Sequence, residues 1–299
     1  KKINKVVKEV SPNTFIGLMS SAPSMHAIEN RNWTKLHNDL CTNDTNIDRI
    51  HLPVYQEMVS PKIYLYNFNS ISMVNRSFLG DNCLIYPELE CATMNHFSKS
   101  PRFLQYHLET AIPLGLAGMT YDIFDFSGNG CEEDLSYGQA IKELTPYLNK
   151  VKSLNLLPSQ MRGIVFPMFE DTVKNRITNE SVFSLIPDDY DAASYFSALG
   201  YSYRILNKKE FHNSTVAIIG QTINNFSNEE LMMLFKDNFI ILDGESAKYL
   251  IDRGLGYLIK AKSYVEHICN DGTYSFEVLS KPYKGMHQYR GSLEKYAGN

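Results

Sequence analysis

The feature that most constrains the fold is a pattern that occurs four times in the first half of the chain. Each copy is a short apolar run, then polar residues, then a segment with helical spacing. The apolar runs are 14–19, 49–55, 83–86 and 118–126, and the helices are expected over 33–40, 63–78, 101–114 and 137–154. Trp33, Leu36, His37 and Leu40 show the spacing of one helix face. Strands alternating with helices at this interval make a parallel sheet through right-handed crossovers.

Strand parity adds a direction. In the second run Ile50, Leu52 and Val54 share an apolar face, while His51, Tyr55 and Glu57 share the other. In the fourth, Met119, Tyr121 and Ile123 belong to the helix side, and Thr120, Asp122 and Phe124 lie opposite. Both faces of an open doubly wound sheet are covered by helices and read apolar. A face dotted with polar groups suits a barrel interior better, and four such units are half of a (β/α)8 barrel.

A new start follows Leu157-Pro158. Strands are expected over 162–166, 203–206, 216–219 and 239–242, with helices over 190–199, 228–235 and 246–253. Asp243-Gly244-Glu245 caps the last helix and Gly254 closes it. This reads as a small α/β domain of flavodoxin-like type. The expected domains are 1–157, 158–260 and a β-rich tail or linker over 261–299, with a strand over 273–279.

Composition narrows the function classes. A chain of 299 residues can form two domains. A formal net charge of -4, with no Lys/Arg cluster, argues against a nucleic-acid partner. Five Cys without a CxxC pair read as reduced thiols of a cytoplasmic protein. No apolar run reaches membrane-spanning length. No spacing fits a zinc site, and neither a Walker loop nor GxGxxG is present, so no metal and no cofactor is expected. The first residue is Lys1, and the chain reads as a fragment of a longer protein.

The chemistry concentrates at Glu88 and Glu90. They follow the third apolar run and precede a helix. Residues two apart on a strand share a face, here the face of Leu84 and Tyr86. The C-terminal end of a strand that feeds a helix is where α/β enzymes hold their reacting groups. The competing reading is an ion-paired strand end, with Lys99 and Arg102 near enough in sequence to supply partners.

Three stretches carry a resemblance: I-Y-P-E-L-E with F-S-K-S-P-R-F, then G-M-T-Y-D-I-F-D-F-S-G-N-G, then L-D-G-E-S-A-K-Y-L-I-D-R-G-L-G-Y-L-I. Together they resemble bacterial glycoside-hydrolase-like proteins laid out like the family 42 β-galactosidases. In that layout a catalytic (β/α)8 barrel precedes a domain similar to class I glutamine amidotransferases. The resemblance implies that the four units are strands five to eight. Glu88 and Glu90 then end the seventh strand, where retaining glycosidases of this architecture place the nucleophile. The acid/base belongs to a fourth strand, which this chain lacks.

Retaining hydrolysis needs two carboxyl groups about 5 Å apart across the scissile bond. Two acids side by side on one strand do not flank a sugar. Glu90, nearer the strand end, is therefore the expected nucleophile, and Glu88 its neighbour that orients it or binds a hydroxyl. A carbohydrate substrate would also meet Asp122, Asp125, Tyr55, Glu57, His51, His26 and Ser21. Some have a plainer alternative: Asp125 caps the S-G-N-G turn and His51 is a hydrogen-bonded core residue; of the aromatics that could stack on a sugar ring, Trp33 is expected to be core. The second domain lacks a Gly-x-Cys-x-Gly elbow and reads as an interaction module. A half barrel implies self-association or association with the missing N-terminal part. The alternative to a hydrolase is a non-catalytic carbohydrate-binding or assembly module with a degenerate barrel.

Overall fold

The computed structural model describes residues 2–40, 45–50, 52, 54, 57, 64–90, 99–122 and 136–264; for Glu90, Asp122 and Pro158 it describes the backbone alone. Five strands come from the first half: β1 (Gly17–Ser20), β2 (Asn46–Ile50), β3 (Cys83–Ile85), β4 (Glu88–Glu90) and β5 (Thr120–Asp122). All their pairings are parallel, β1 with β2, β2 with β3 and β4 with β5. β3 and β4 are one run broken at Pro87, which has no N–H to give to a ladder. Three bonds hold that run between β2 and β5. The N–H of Tyr86 donates to Asp48 O (2.8 Å), that of Ala117 to Ile85 O (2.9 Å) and that of Thr120 to Pro87 O (3.0 Å).

Helices α1 (Lys2–Val10), α2 (Pro23–Ala27), α3 (Trp33–Leu40), α4 (Ile71–Leu79), α5 (Pro101–Ala111) and α6 (Tyr137–Ser153) accompany these strands. A π-helical segment, Leu65–Ser70, leads into α4. The start of α5 follows from its sequence: Ser100 accepts a hydrogen bond from the Phe103 N–H at 3.1 Å, and Pro101 occupies the first position. The helix-facing side of β2 carries Asn46, Asp48 and Ile50, all buried. The opposite side carries Met19 at 70 % exposure and Leu84 at 38 %, in register with Arg49 and Ile47.

The second sheet contains β6 (Ile164–Pro167), β7 (Tyr203–Leu206), β8 (Thr215–Ile218) and β9 (Phe239–Leu242), all parallel, in the order β7-β6-β8-β9. The chain starts in the middle and winds outward both ways, the 2-1-3-4 order of a doubly wound sheet. Its helices are α7 (Ala192–Ala198), α8 (Asn228–Asp237) and α9 (Gly244–Asp252). A capping box of Ser227 and Glu230 opens α8, and Asp243 caps α9 by accepting from the Ser246 N–H at 2.9 Å.

Helix α4 lies between the strands of the first half and the four-stranded sheet. Seven of its nine residues are buried, including Ser72, Asn75 and Arg76. A helix buried on nearly all sides must have a layer on each. One side meets β2 through Asn75, whose Nδ2 donates to Asp48 Oδ2 at 2.6 Å. At its start Ser70 Oγ lies 2.9 Å from the hydroxyl of Tyr203 in β7. One apolar cluster accordingly contains Ile50, Phe68, Val74 and Ile85 together with Phe166, Tyr190, Tyr203 and Ile205. A second cluster, with Val165, Ile218, Leu231 and Leu250, lies on the far face of the second sheet. Neighbours Val165 and Phe166 serve different clusters because strand side chains alternate.

Two expectations need correction. The second strand begins at Asn46, three residues before the expected start at Arg49, and Leu52 and Val54 after it are buried as expected. The apolar pattern misplaced it because Asn46 and Asp48 sit on the buried side, where Asp48 is satisfied by hydrogen bonds. Tyr121, expected under helices, is 39 % exposed, although its register partner Leu89 is 1 % exposed. β5 is the end strand of this group among the described residues. The expected tail strand over 273–279 lies outside the described residues.

Candidate functional site

Parallel strands present all their C-terminal ends along one edge, and several of the candidate residues lie along that edge. Glu88 opens β4, opposite Thr120 of β5. Its Oε1 is 2.5 Å from Arg49 Nη2, and the Arg49 Nε donates to Thr120 Oγ1 at 3.3 Å. The Glu88 side chain is 11 % exposed and that of Arg49 28 %, so the pair is largely shielded from water. The partner is thus Arg49, two strands away in sequence. Arg102 pairs with Glu109 at 2.8 Å, and Lys99 is buried.

The backbone of Glu90 ends β4 in register with Asp122, the last residue of β5. The candidate residues His51, Tyr55 and Asp125 lie outside the described residues. Glu57 is exposed, and its Oε2 accepts from the Ser100 N–H at 2.7 Å. Its carboxylate therefore faces the N-terminus of α5, where a negative charge meets unpaired N–H groups.

Ser21, directly after β1, and His26 of α2 come together. Ser21 Oγ lies 3.2 Å from His26 Nε2, and His26 Nδ1 lies 3.2 Å from Glu29 Oε2. Arg31 is close to both, with Nε 3.0 Å from Glu29 Oε2 and Nη1 3.2 Å from His26 Nδ1. Trp33 stacks on His26 with ring centroids 4.8 Å apart and planes 12° apart. Trp33 is itself 2 % exposed, as expected of a core residue, and its Nε1 donates to Asn75 Oδ1 at 2.7 Å.

Two buried polar clusters, one around Asp48 and one around Lys99, escaped the sequence reading. Asp48 is fully buried and accepts from Ser20 Oγ at 3.0 Å and from Asn75 Nδ2 at 2.6 Å. His37 Nε2 is 3.3 Å from its Oδ1, at ion-pair distance but without hydrogen-bond alignment. The signal was the alternation of Asn46, Asp48 and Ile50, visible once the strand is set three residues earlier. Lys99 is 1 % exposed, with Nζ 3.4 Å from both Val54 O and His107 Nδ1. Burial, reinforced by the Lys99 charge, pulls His107 down to about 2, so its ring is neutral between Tyr64, Phe68 and Phe103.

A cleft of about 370 Å³ lies apart from these groups, lined by Asn69, Met73, Leu114, Arg162 and Tyr203 among others. Among the described residues no group of three or more His, Cys, Asp or Glu side chains is arranged to hold a metal ion. Nor is any described helix long and apolar enough to cross a membrane.

No protein family matches the chain, and no curated protein does. Among solved structures it is similar to Gan42B, a GH42 β-galactosidase, with a TM-score of 0.48 and 11% identity over 81% of this chain and 38% of that one. A catalytic mutant of Gan42B from G. stearothermophilus gives a TM-score of 0.49 and 10% identity, again over 81% of this chain and 38% of the other. The chain therefore spans well under half the length of these proteins. A likeness this distant transfers neither an activity nor a site residue to this chain.

Proposed function

We propose that the chain is part of a carbohydrate-active hydrolase in which β1 to β5 form half of a (β/α)8 barrel. Support comes from strands that follow one another in chain order, all parallel, with one face buried under helices and the other left exposed at Met19 and Leu84. A closed barrel would cover that second face. The 2-1-3-4 sheet that follows fits the amidotransferase-like domain of the same layout, acting as an interaction module over 158–260.

The observation that carries the reading is the pair of glutamates on β4 at the C-terminal edge of parallel strands, beside Asp122. Because Arg49 engages Glu88, the nucleophile role falls to Glu90, and Glu88 holds the strand end in place. The acid/base carboxyl comes from outside residues 1–299 or from another chain, about 5 Å from Glu90 as retention requires. Hydrolysis of aryl glycosides by the full-length protein tests this. Glu90→Gln should abolish turnover, and Glu88→Gln should impair it less. Unchanged rates in both variants remove the assignment.

The second reading is a non-catalytic carbohydrate-binding or assembly module. The close Arg49–Glu88 pair favours it, since a carboxylate held that way serves structure. Saturable binding of oligosaccharides without turnover would select it.

A further inference from the structure

The segment from Ser21 through α2 to Glu29 carries a grouping that goes beyond the sugar contact expected of Ser21 and His26. Ser21 is exposed and follows directly on the last residue of β1. Its hydroxyl, the His26 imidazole and the Glu29 carboxylate are joined in that order through the two different ring nitrogens, with both separations 3.2 Å. A hydroxyl next to a base, and the base next to an orienting carboxylate, are the parts of an activated serine. The imidazole is 14 % exposed and its plane is set by the indole of Trp33, which Asn75 holds in turn. Arg31 Nε lies 3.0 Å from the same carboxylate oxygen, Glu29 Oε2, that faces His26.

The tautomer decides reactivity. With the proton on Nδ1, His26 donates to Glu29 and Nε2 accepts from Ser21. With the proton on Nε2, Nδ1 accepts from Arg31 Nη1 at 3.2 Å and Ser21 is not activated. The Glu29 carboxylate, which only accepts, favours the first, and the Arg31 guanidinium, which only donates, favours the second; the site works in the first.

We propose that Ser21, His26 and Glu29 form a serine-hydrolase site for small esters. Ser21 Oγ attacks the ester carbonyl carbon while His26 Nε2 takes the hydroxyl proton. The tetrahedral adduct collapses, the ester C–O bond breaks, and His26 returns that proton to the leaving alcohol. Water then attacks the acyl group on Ser21, with His26 taking a proton from it. Release of the carboxylic acid restores the Ser21 hydroxyl. The balance is ester plus water giving acid plus alcohol. Ser21 and His26 are the catalytic residues, and Glu29 is a positioning residue. With Ser21 exposed and the Glu29 side chain 51 % exposed, the site is open and takes acyl groups presented without a deep pocket. Nothing in this assignment depends on Glu88 or Glu90, so the two activities stand or fall separately.

The test uses the full chain with p-nitrophenyl acetate and a fluorophosphonate probe, each variant checked for folding by circular dichroism. The wild type should hydrolyse the ester and carry one probe adduct, mapped to Ser21 by mass spectrometry. Ser21→Ala should lose the adduct and fall to the buffer rate. His26→Gln should lower turnover about a hundredfold or more. Glu29→Gln should lower kcat with KM unchanged, and Glu29→Asp should recover part of the loss. A folded wild type left unlabelled at Ser21, or a Ser21→Ala variant that keeps the wild-type rate, overturns the assignment.

Discussion

Arg49 Nη2 lies 2.5 Å from Glu88 Oε1, tying β2 to β4 across the edge where the candidate chemistry sits. Removing one member of a shielded pair leaves the other charge buried without its partner. Arg49→Ala should therefore destabilise the protein by about 3 kcal/mol. Glu88→Gln, which keeps a hydrogen-bond acceptor, should cost less. Urea unfolding of the two variants gives the comparison. Equal midpoints for Arg49→Ala and wild type would show that the pair carries no stability.

His107 gives the protein an acid limb. Its folded value of about 2 lies below the ordinary 6.5, so between those limits the unfolded chain binds more protons than the folded one. Stability is then full above pH 6.5 and declines as pH falls, by up to about 1.4 kcal/mol per pH unit for this one group. His107→Phe should flatten that limb, because Tyr64, Phe68 and Phe103 already line the place with rings. Denaturant titrations at pH 7.5 and pH 5, in parallel for both proteins, read the difference; identical pH slopes would count against it.

Gly163 has φ of +129°, and a Cβ there would sit 2.2 Å from the carbonyl oxygen of Ser202. Neither that conformation nor that space accepts a side chain, and the obstacle is backbone. Gly163→Ala should cost about 3 kcal/mol and lower the thermal midpoint by several degrees. A midpoint unchanged within error would mean that β6 and β7 separate freely at their start.

Ser227→Ala removes half of the capping box on α8. The expected loss is about 1 kcal/mol, typical of an N-cap, with Glu230 still paired to Lys209 at 2.8 Å. Calorimetry or urea unfolding would detect a shift of that size.

Much of the architecture was legible because the elements are locally self-consistent. Trp33–Leu40 and Phe239–Leu242 fall where the apolar spacing put them, and Asp243 caps its helix as its position before Gly244-Glu245 implied. β2 was misplaced for a physical reason: Asp48 is buried without being apolar, since Ser20 and Asn75 donate to it. The partner of Glu88 was not legible either. Which cation meets a strand-end acid depends on which strands pair, and Arg49 precedes Glu88 by a whole helix. The Ser21–His26–Glu29 arrangement is short in sequence, but only the backbone path of that segment turns those three side chains toward one another.

Ser24 and Tyr190, 166 residues apart, meet through their hydroxyls in a buried contact, and the same apolar cluster runs on both sides of Leu157-Pro158. A cut at that point would not yield two self-sufficient pieces, since each would expose the surface the other covers. Limited proteolysis should accordingly nick the chain without separating the fragments until both unfold. For a lineage carrying such a protein, the second sheet cannot be shed or exchanged as a cassette. Any replacement would have to match Tyr190 and Tyr203 in shape before the strand edge holding Glu88 and Glu90 could keep its form.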